Sequence, residues 1–266
     1  MGSDLPKIIW FIWLQGLDEA PLVVRKCYDS WIKHNPGWQV IFLDAANIAD
    51  HIDLKQGGIT TQAYSDVLRI NLLAKYGGVW VDATCYCNKS LDEWLPGYMS
   101  TGFFAFNRPG PDRMISSWFI AANKNNYIIH AYKDRVNAYW SENPCISFFE
   151  SSKWFFLNKY LQRIGPQVWF SGFVLKILKV YPYFWFHYLF ENIYLKDSRF
   201  REIWDNTAKL NADIPHRLQT IGLFNPLNEE IKAEIDNKTA PVYKLTWKYE
   251  ASDYKKDTVM GYLLNK

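Results

Sequence analysis

The stretch from Tyr64 to Asp82, Tyr-Ser-Asp-Val-Leu-Arg-Ile-Asn-Leu-Leu-Ala-Lys-Tyr-Gly-Gly-Val-Trp-Val-Asp, holds two carboxylates and a guanidinium at a spacing suited to chemistry. Asp66 and Arg69 are three apart and so share one helix face, while Val67, Ile70, Leu73 and Ala74 recur at helical spacing and turn toward a core. Thr60 or Thr61 can cap this helix and Gly77 ends it. The chain then re-enters as an apolar strand, Val79-Trp80-Val81, that delivers Asp82 at its C-terminal edge, where open α/β sheets place their ligands. Two carboxylates around an arginine at such an edge suit a charged ligand that carries a diphosphate. Taken without that context, Asp66 and Arg69 would read as a surface ion pair worth about a few tenths of a kcal/mol.

The elements that must position these residues alternate between strand and helix. An apolar run from Ile8 to Leu14, a helix near Pro21 to Asn35 and a strand from Gln39 to Leu43 lead into the unit above, an α/β pattern with parallel pairing. Asn35-Pro36-Gly37 is a strong helix stop. A second α/β portion follows, with Phe103–Phe106 as a strand, Asn107 to Pro111 as a loop and Met114 to Ala122 as a helix. Residues 1–125 thus read as an α/β core. Residues 126–266 read as a mainly helical, aromatic-rich portion of the same domain, packed against that core or forming a lid. Between Trp154 and Phe190 the breaks at Gly165-Pro166 and Pro182 predict several short helices, and Pro241 to Lys248 reads as a final strand returning to the sheet.

Composition excludes several classes. With 266 residues, of which 49% are hydrophobic, the chain can bury a substantial core. The net charge of +3 is too small to argue for nucleic acid, and no basic run alternates with aromatics on a nucleic-acid motif. Cys27, Cys85, Cys87 and Cys145 form no Cys-x-x-Cys pair and read as reduced thiols. With no stretch resembling a signal peptide, a cytoplasmic location is expected. The apolar runs Ile164 to Leu175 and Val180 to Phe190 are too short to span a bilayer, but the aromatic segment with Lys176 and Lys179 can lie on a membrane, giving a peripheral location at its inner face. There is no Gly-x-Gly-x-x-Gly after the first strand, no Walker-type Gly-Lys-Ser/Thr, no Gly-x-Ser-x-Gly and no His-Glu-x-x-His.

Four stretches carry a resemblance: Pro6 to Gly16, Ser30-Trp-Ile-Lys-His-Asn-Pro36, Ser65-Asp-Val-Leu-Arg69 continuing to Tyr76-Gly-Gly-Val-Trp-Val-Asp-Ala-Thr84, and more loosely Tyr183 to Phe190. On these the sequence resembles the family 32 glycosyltransferases, the class with a sugar-binding region containing a DXD motif, and most closely their capsular polysaccharide synthesis branch. The resemblance implies a GT-A fold, with residues 1–125 as its nucleotide-sugar-binding core and 126–266 as the acceptor-side or lid portion of one catalytic domain, and transfer of a hexosyl unit from a nucleotide diphosphate sugar, a UDP-sugar above all, with retention. The acceptor it implies is a growing capsular or other surface glycan, lipid-linked in some cases. Mn2+ or Mg2+ would assist by stabilising the diphosphate leaving group.

Carried over residue by residue, the resemblance makes Asp66 and Arg69 the donor-binding helix pair and Trp13 the aromatic that stacks on the base. Asp82 matches the first Asp of the Asp-x-Asp motif and would be the metal ligand. Thr84 stands at the third position, so the second strong ligand is missing and a bound metal would be held more weakly. His187, within the aromatic run, is an acceptor-side candidate, and His216, Lys244 and Trp247 are candidates for closing over the phosphates. No general base is assigned. Two alternatives stand beside this reading: an enzyme that uses the same donor grip with water or another group as acceptor, and a non-catalytic module that binds sugar nucleotides or glycans.

Overall fold

A computed structural model describes residues 5–266 of the chain. Strand β1 (Ile8–Ile12) leads through helix α1 (Leu22–His34) to β2 (Gln39–Leu43), and α2 (Ile48–His51) and α3 (Thr61–Tyr76) lead to β3 (Gly78–Asp82). Then come β4 (Cys85–Cys87), α4 (Leu91–Trp94), β5 (Phe103–Gly110), β6 (Arg113–Ala122) and α5 (Tyr127–Glu142). The remainder carries β7 (Ser147–Phe148), α6 (Phe155–Ile164), β8 (Val180–Tyr181), α7 (Trp185–Lys196) and α8 (Ser198–Asn206). It ends with α9 (Asp213–Ile221), α10 (Glu229–Asp236), β9 (Val242–Lys244) and α11 (Val259–Leu264).

Five strands form the central sheet in the order β2-β1-β3-β6-β5, with β1 parallel to both β2 and β3 and β6 antiparallel to its two neighbours. Alternate residues of each strand point to opposite faces. Ile9, Phe11, Val79 and Val81 meet α1, α9, α10 and α11 on one face, and Trp10, Trp80, Phe103 and Ile120 meet α3, α5, α7 and α8 on the other. Because α1 and α3 cover opposite faces while β2 and β3 flank β1, the strand order reverses at β1. The C-terminal ends of β1 and β3 therefore border the crevice where sheets of this kind take ligands.

The unit that delivers Asp82 forms as its sequence dictates. The Thr60 side chain accepts from the Ala63 amide at 3.2 Å, capping α3. Gly77 (φ 72°) and Gly78 (φ 94°) then make the turn into β3 in a region that side chains disfavour. A Cβ on Gly78 would lie 2.5 Å from the Ile8 carbonyl oxygen, so only glycine lets β3 lie this close to β1.

Three expectations need correction. Met114 to Ala122 is not a helix but most of β6, buried between β3 and β5. It is apolar toward both faces, so periodicity does not distinguish strand from helix, and its pairing decides the outcome. The loop expected at Asn107 to Pro111 is largely strand, since β5 runs through Gly110 and turns into β6 as a hairpin. The C-terminal strand β9 does not rejoin the central sheet; it pairs antiparallel with β4 beside it. The aromatic segment does break into short helical pieces at Gly165 and Pro182, as the sequence predicts. Among the described residues no helix is long and apolar enough to cross a membrane.

Candidate functional site

Asp82 is the last residue of β3, in register with Ile12 of β1, and its side chain turns toward α3. From α3 the Arg69 guanidinium reaches it at 3.1 Å, lies 2.8 Å from Asp66 Oδ1 and donates to Ser65 Oγ at 3.2 Å. Arg69 is only 4% exposed, with Trp80 and Phe186 rings 5.1 and 5.6 Å from its guanidinium carbon. The same Asp82 oxygen accepts from the Trp80 indole at 3.0 Å. On the far side, Lys244 at the end of β9 donates to Thr84 Oγ1 at 2.6 Å and lies 3.6 Å from the other Asp82 oxygen. β9 brings it there because Lys244 pairs with Cys85, next to Thr84.

The two carboxylates are tuned apart. Burial pushes the Asp66 carboxyl up to about 7, and the nearby Asp82 charge adds to the rise against the opposing pull of Arg69. Burial acts on Asp82 in the same sense, but Arg69, Lys244 and the Trp80 hydrogen bond outweigh it and hold this carboxyl below the ordinary range. Asp82 is therefore a fixed anion near neutrality, while Asp66 is the much weaker acid of the two and, when it holds its proton, can donate a hydrogen bond as well as accept one. Arg69 Nε has no partner within the chain among the described residues.

Asp66, Arg69, Asp82, Thr84 and Lys244, expected from the sequence, thus come together in one charged cluster. Trp13 and Trp247 form a second group, their rings meeting edge to face with centroids 5.8 Å apart. Trp13 follows β1 at the same crevice, its indole N–H without a partner among the described residues, and Trp247 is 46% exposed. His187, in the first turn of α7, is buried between Phe184 and Phe186 with Nδ1 unpartnered. Burial, then the positive charges of Arg113 and Arg69, push it down to about 3, so it is neutral at physiological pH. His216 on α9 packs edge to face on Trp118 at 5.4 Å and is also held low by burial.

Sequence reasoning missed Trp80 and Tyr183. Trp80 was legible in principle, because residues two apart on a strand share a face. Tyr183, which follows β8, is 60% exposed, and its hydroxyl is raised by burial and then by the negative charges of Asp66 and Asp82. A cavity of about 910 Å³ runs along the β5–β6 hairpin, lined among others by Arg108, Asp112, Arg113, Glu191, Trp204 and Lys209. None of the five cluster residues lines it. The hairpin is tied to α7, for Tyr188 donates to Asp112 at 2.5 Å and Arg113 lies over the Phe184 ring at 3.9 Å.

A divalent metal at Asp82 is implied by the resemblance, and the residues present do not fit it in this arrangement. One Asp82 oxygen faces Arg69 and Trp80, the other faces Lys244, and the Thr84 hydroxyl already accepts from Lys244. Among the described residues no three His, Cys, Asp or Glu side chains converge to hold an ion.

Comparison with known proteins adds context. The family model for capsular polysaccharide synthesis proteins matches residues 3–161 and 149–263. A protein of Annulohypoxylon truncatum named O-glycosyltransferase braB is 26% identical over 187 residues, which cover 61% of this chain and 44% of that protein. A protein of Acanthamoeba polyphaga mimivirus named uncharacterized glycosyltransferase L373 is 23% identical over 194 residues, covering 61% of this chain and 77% of its own length. The chain thus spans less than half the length of the first of these relatives. Among solved structures, PaToxG glycosyltransferase aligns with a TM-score of 0.41 and 15% identity, covering 87% of this chain and 84% of the other.

Proposed function

The chain belongs to the capsular polysaccharide synthesis protein family, and from that premise we propose that it is a glycosyltransferase of the GT-A type. It transfers a hexosyl unit from a nucleotide diphosphate sugar, with UDP-sugars favoured, to a glycan or lipid-linked glycan, with retention at the anomeric carbon. The observation that carries this reading is the cluster at the end of β3, where Arg69 and Lys244 flank the fixed anion Asp82 and the more weakly acidic Asp66 stands behind them.

In the transfer, the acceptor hydroxyl oxygen bonds to the anomeric carbon on the face from which the diphosphate departs, as retention requires, and passes its proton to the departing diphosphate oxygen. The bond from that carbon to the diphosphate oxygen breaks, and its electron pair leaves with the nucleoside diphosphate. Charge grows on that oxygen as the bond breaks. Arg69 and Lys244, held by Asp82 and Thr84, are cations set in place before the charge develops, which is how a preorganised site lowers a barrier. Asp66 hydrogen-bonds sugar hydroxyls, and Trp13 with Trp247 stacks on the base. His187, being neutral, positions the acceptor side through its unpartnered nitrogen. His216, packed on Trp118, would serve the phosphate side. No step is assigned to a metal, because the donor atoms around Asp82 are already turned to cations.

The test is to offer uridine, guanosine and cytidine diphosphate sugars, with and without lipid-linked or free glycan acceptors, and follow nucleoside diphosphate release and glycan products. Release from one uridine-linked donor, raised by acceptor and retained in EDTA, is expected. Release that ignores acceptor would make the chain a hydrolase. Absence of release and of donor binding would remove the transferase reading altogether.

A further inference from the structure

Residues 149–184, together with Tyr188 of α7, build a small third core, with Phe149, Leu161, Trp169, Val174 and Tyr188 at its centre. Helix α6 gives it Leu157 and Leu161, and the π-helical turn Phe173–Leu178 gives it Val174 and Leu178. The faces turned the other way should then be polar, and they are not. On α6, Phe156 (85% exposed), Tyr160 and Ile164 recur every fourth residue as an outward stripe, and Phe173 and Ile177 (71% exposed) repeat the pattern on the π-helical turn. Water does not select such stripes, and exposed apolar surface of this kind marks a contact.

The charges around the stripes have one sign. Lys153, Lys159, Arg163, Lys176 and Lys179 are all exposed, and the only acidic residue from 150 to 180 is Glu150, which is paired with Lys153 at 2.7 Å. Lys159 leans over the Phe155 ring at 5.5 Å, so a cation and an aromatic are presented together. Aromatic and aliphatic side chains outward, ringed by long cationic ones, are what the headgroup layer of an anionic bilayer accepts, because ring and chain bury while the ammonium and guanidinium groups meet phosphates.

We propose that this face docks on the surface of an anionic phospholipid bilayer, with Phe156, Tyr160, Phe173 and Ile177 entering the headgroup layer and the five cations against lipid phosphates. The segment lies on the membrane and does not cross it. The inference stands on the surface alone and does not require the transferase reading.

The experiment is co-sedimentation of the full chain with vesicles of phosphatidylcholine, with or without phosphatidylglycerol, at low and high salt. Binding only to the vesicles that contain phosphatidylglycerol, weakened by salt, is expected. The double variant Phe156→Ser/Tyr160→Ser is expected to lower partitioning by about tenfold or more, and Lys176→Gln/Lys179→Gln to lower it and flatten the salt dependence. Thermal midpoints, read in parallel, should stay near wild type because these side chains lie outside the cores. Equal partitioning of wild type and both variants would overturn the proposal, as would absence of binding to anionic vesicles at low salt. Self-association that the Phe156/Tyr160 change abolishes, without vesicle binding, would overturn it in favour of a second copy of the chain.

Discussion

Two ion pairs in this molecule have the same sequence spacing and nearly the same length. Arg69 and Asp66 on α3 lie 2.8 Å apart, and Lys153 and Glu150 before α6 lie 2.7 Å apart. Their side chains are 4% and 11% exposed in the first pair and 68% and 49% in the second. The difference teaches that distance does not set what a charge pair is worth. In water the second pair is screened and replaceable, whereas the first has been taken out of water beneath Trp80 and Phe186 and can be spared by neither partner. The same contrast separates the two regions in function. At the end of β3 the aromatics cover the Arg69 guanidinium, and charge becomes fixed machinery; around α6 the cations ring exposed aromatics, and charge becomes a contact surface.

The largest effect that would sharpen this contrast is loss of the guanidinium. Arg69→Ala leaves Asp66 and Asp82 facing each other in a buried site and is expected to cost about 3 to 5 kcal/mol in chemical denaturation. A cost equal to that of a surface charge would break the comparison. Asp82→Asn keeps the shape of the side chain but releases both cations from their anchor; turnover is expected to fall by about a hundredfold or more, as misplaced catalytic groups do, measured as nucleoside diphosphate release.

The third effect is a pH dependence. Asp66 has its folded pKa raised, so between the ordinary carboxylate range and about 7 the native state holds more protons than the unfolded chain. Its contribution to stability is therefore greatest in acid and is lost as pH rises toward 7. Asp82, with its folded pKa lowered, contributes the opposite slope, present above the ordinary carboxylate range and lost only as pH falls below it. Asp66→Asn should flatten stability against pH between about 4 and 7, read as denaturation midpoints across that range. An unchanged slope would mean that Asp66 is not the buried acid described. Smallest of all, Lys153→Ala should shift stability by no more than about 0.5 kcal/mol.

Much of the fold was legible from local pattern. The Thr60 cap, the Gly77-Gly78 turn and the Asp66–Arg69 face follow from spacing alone, as does the delivery of Asp82, because each depends on residues within a few positions of one another. What failed was non-local. Met114 to Ala122 reads as a helix because a strand buried on both faces has no period of its own, and only its pairing with β3 and β5 settles it. From sequence Lys244 is no more than a phosphate-side candidate, yet it donates a hydrogen bond to Thr84, 160 residues away. That contact exists because β9 pairs with β4, and no local signal in Cys85-Tyr86-Cys87 announces its partner. The same contact sets a cation against Thr84, at the third position of the motif.

The most direct test is therefore made at Lys244, which is partly accessible and anchors no core. Affinity for uridine diphosphate is measured by calorimetry for wild type and Lys244→Met, in EDTA and in manganese. A weakening of about tenfold to a hundredfold in EDTA, with the thermal midpoint little changed, is predicted for the loss of one charge-assisted hydrogen bond. Equal affinity of the two proteins in EDTA, or binding by wild type only when manganese is present, would contradict the account.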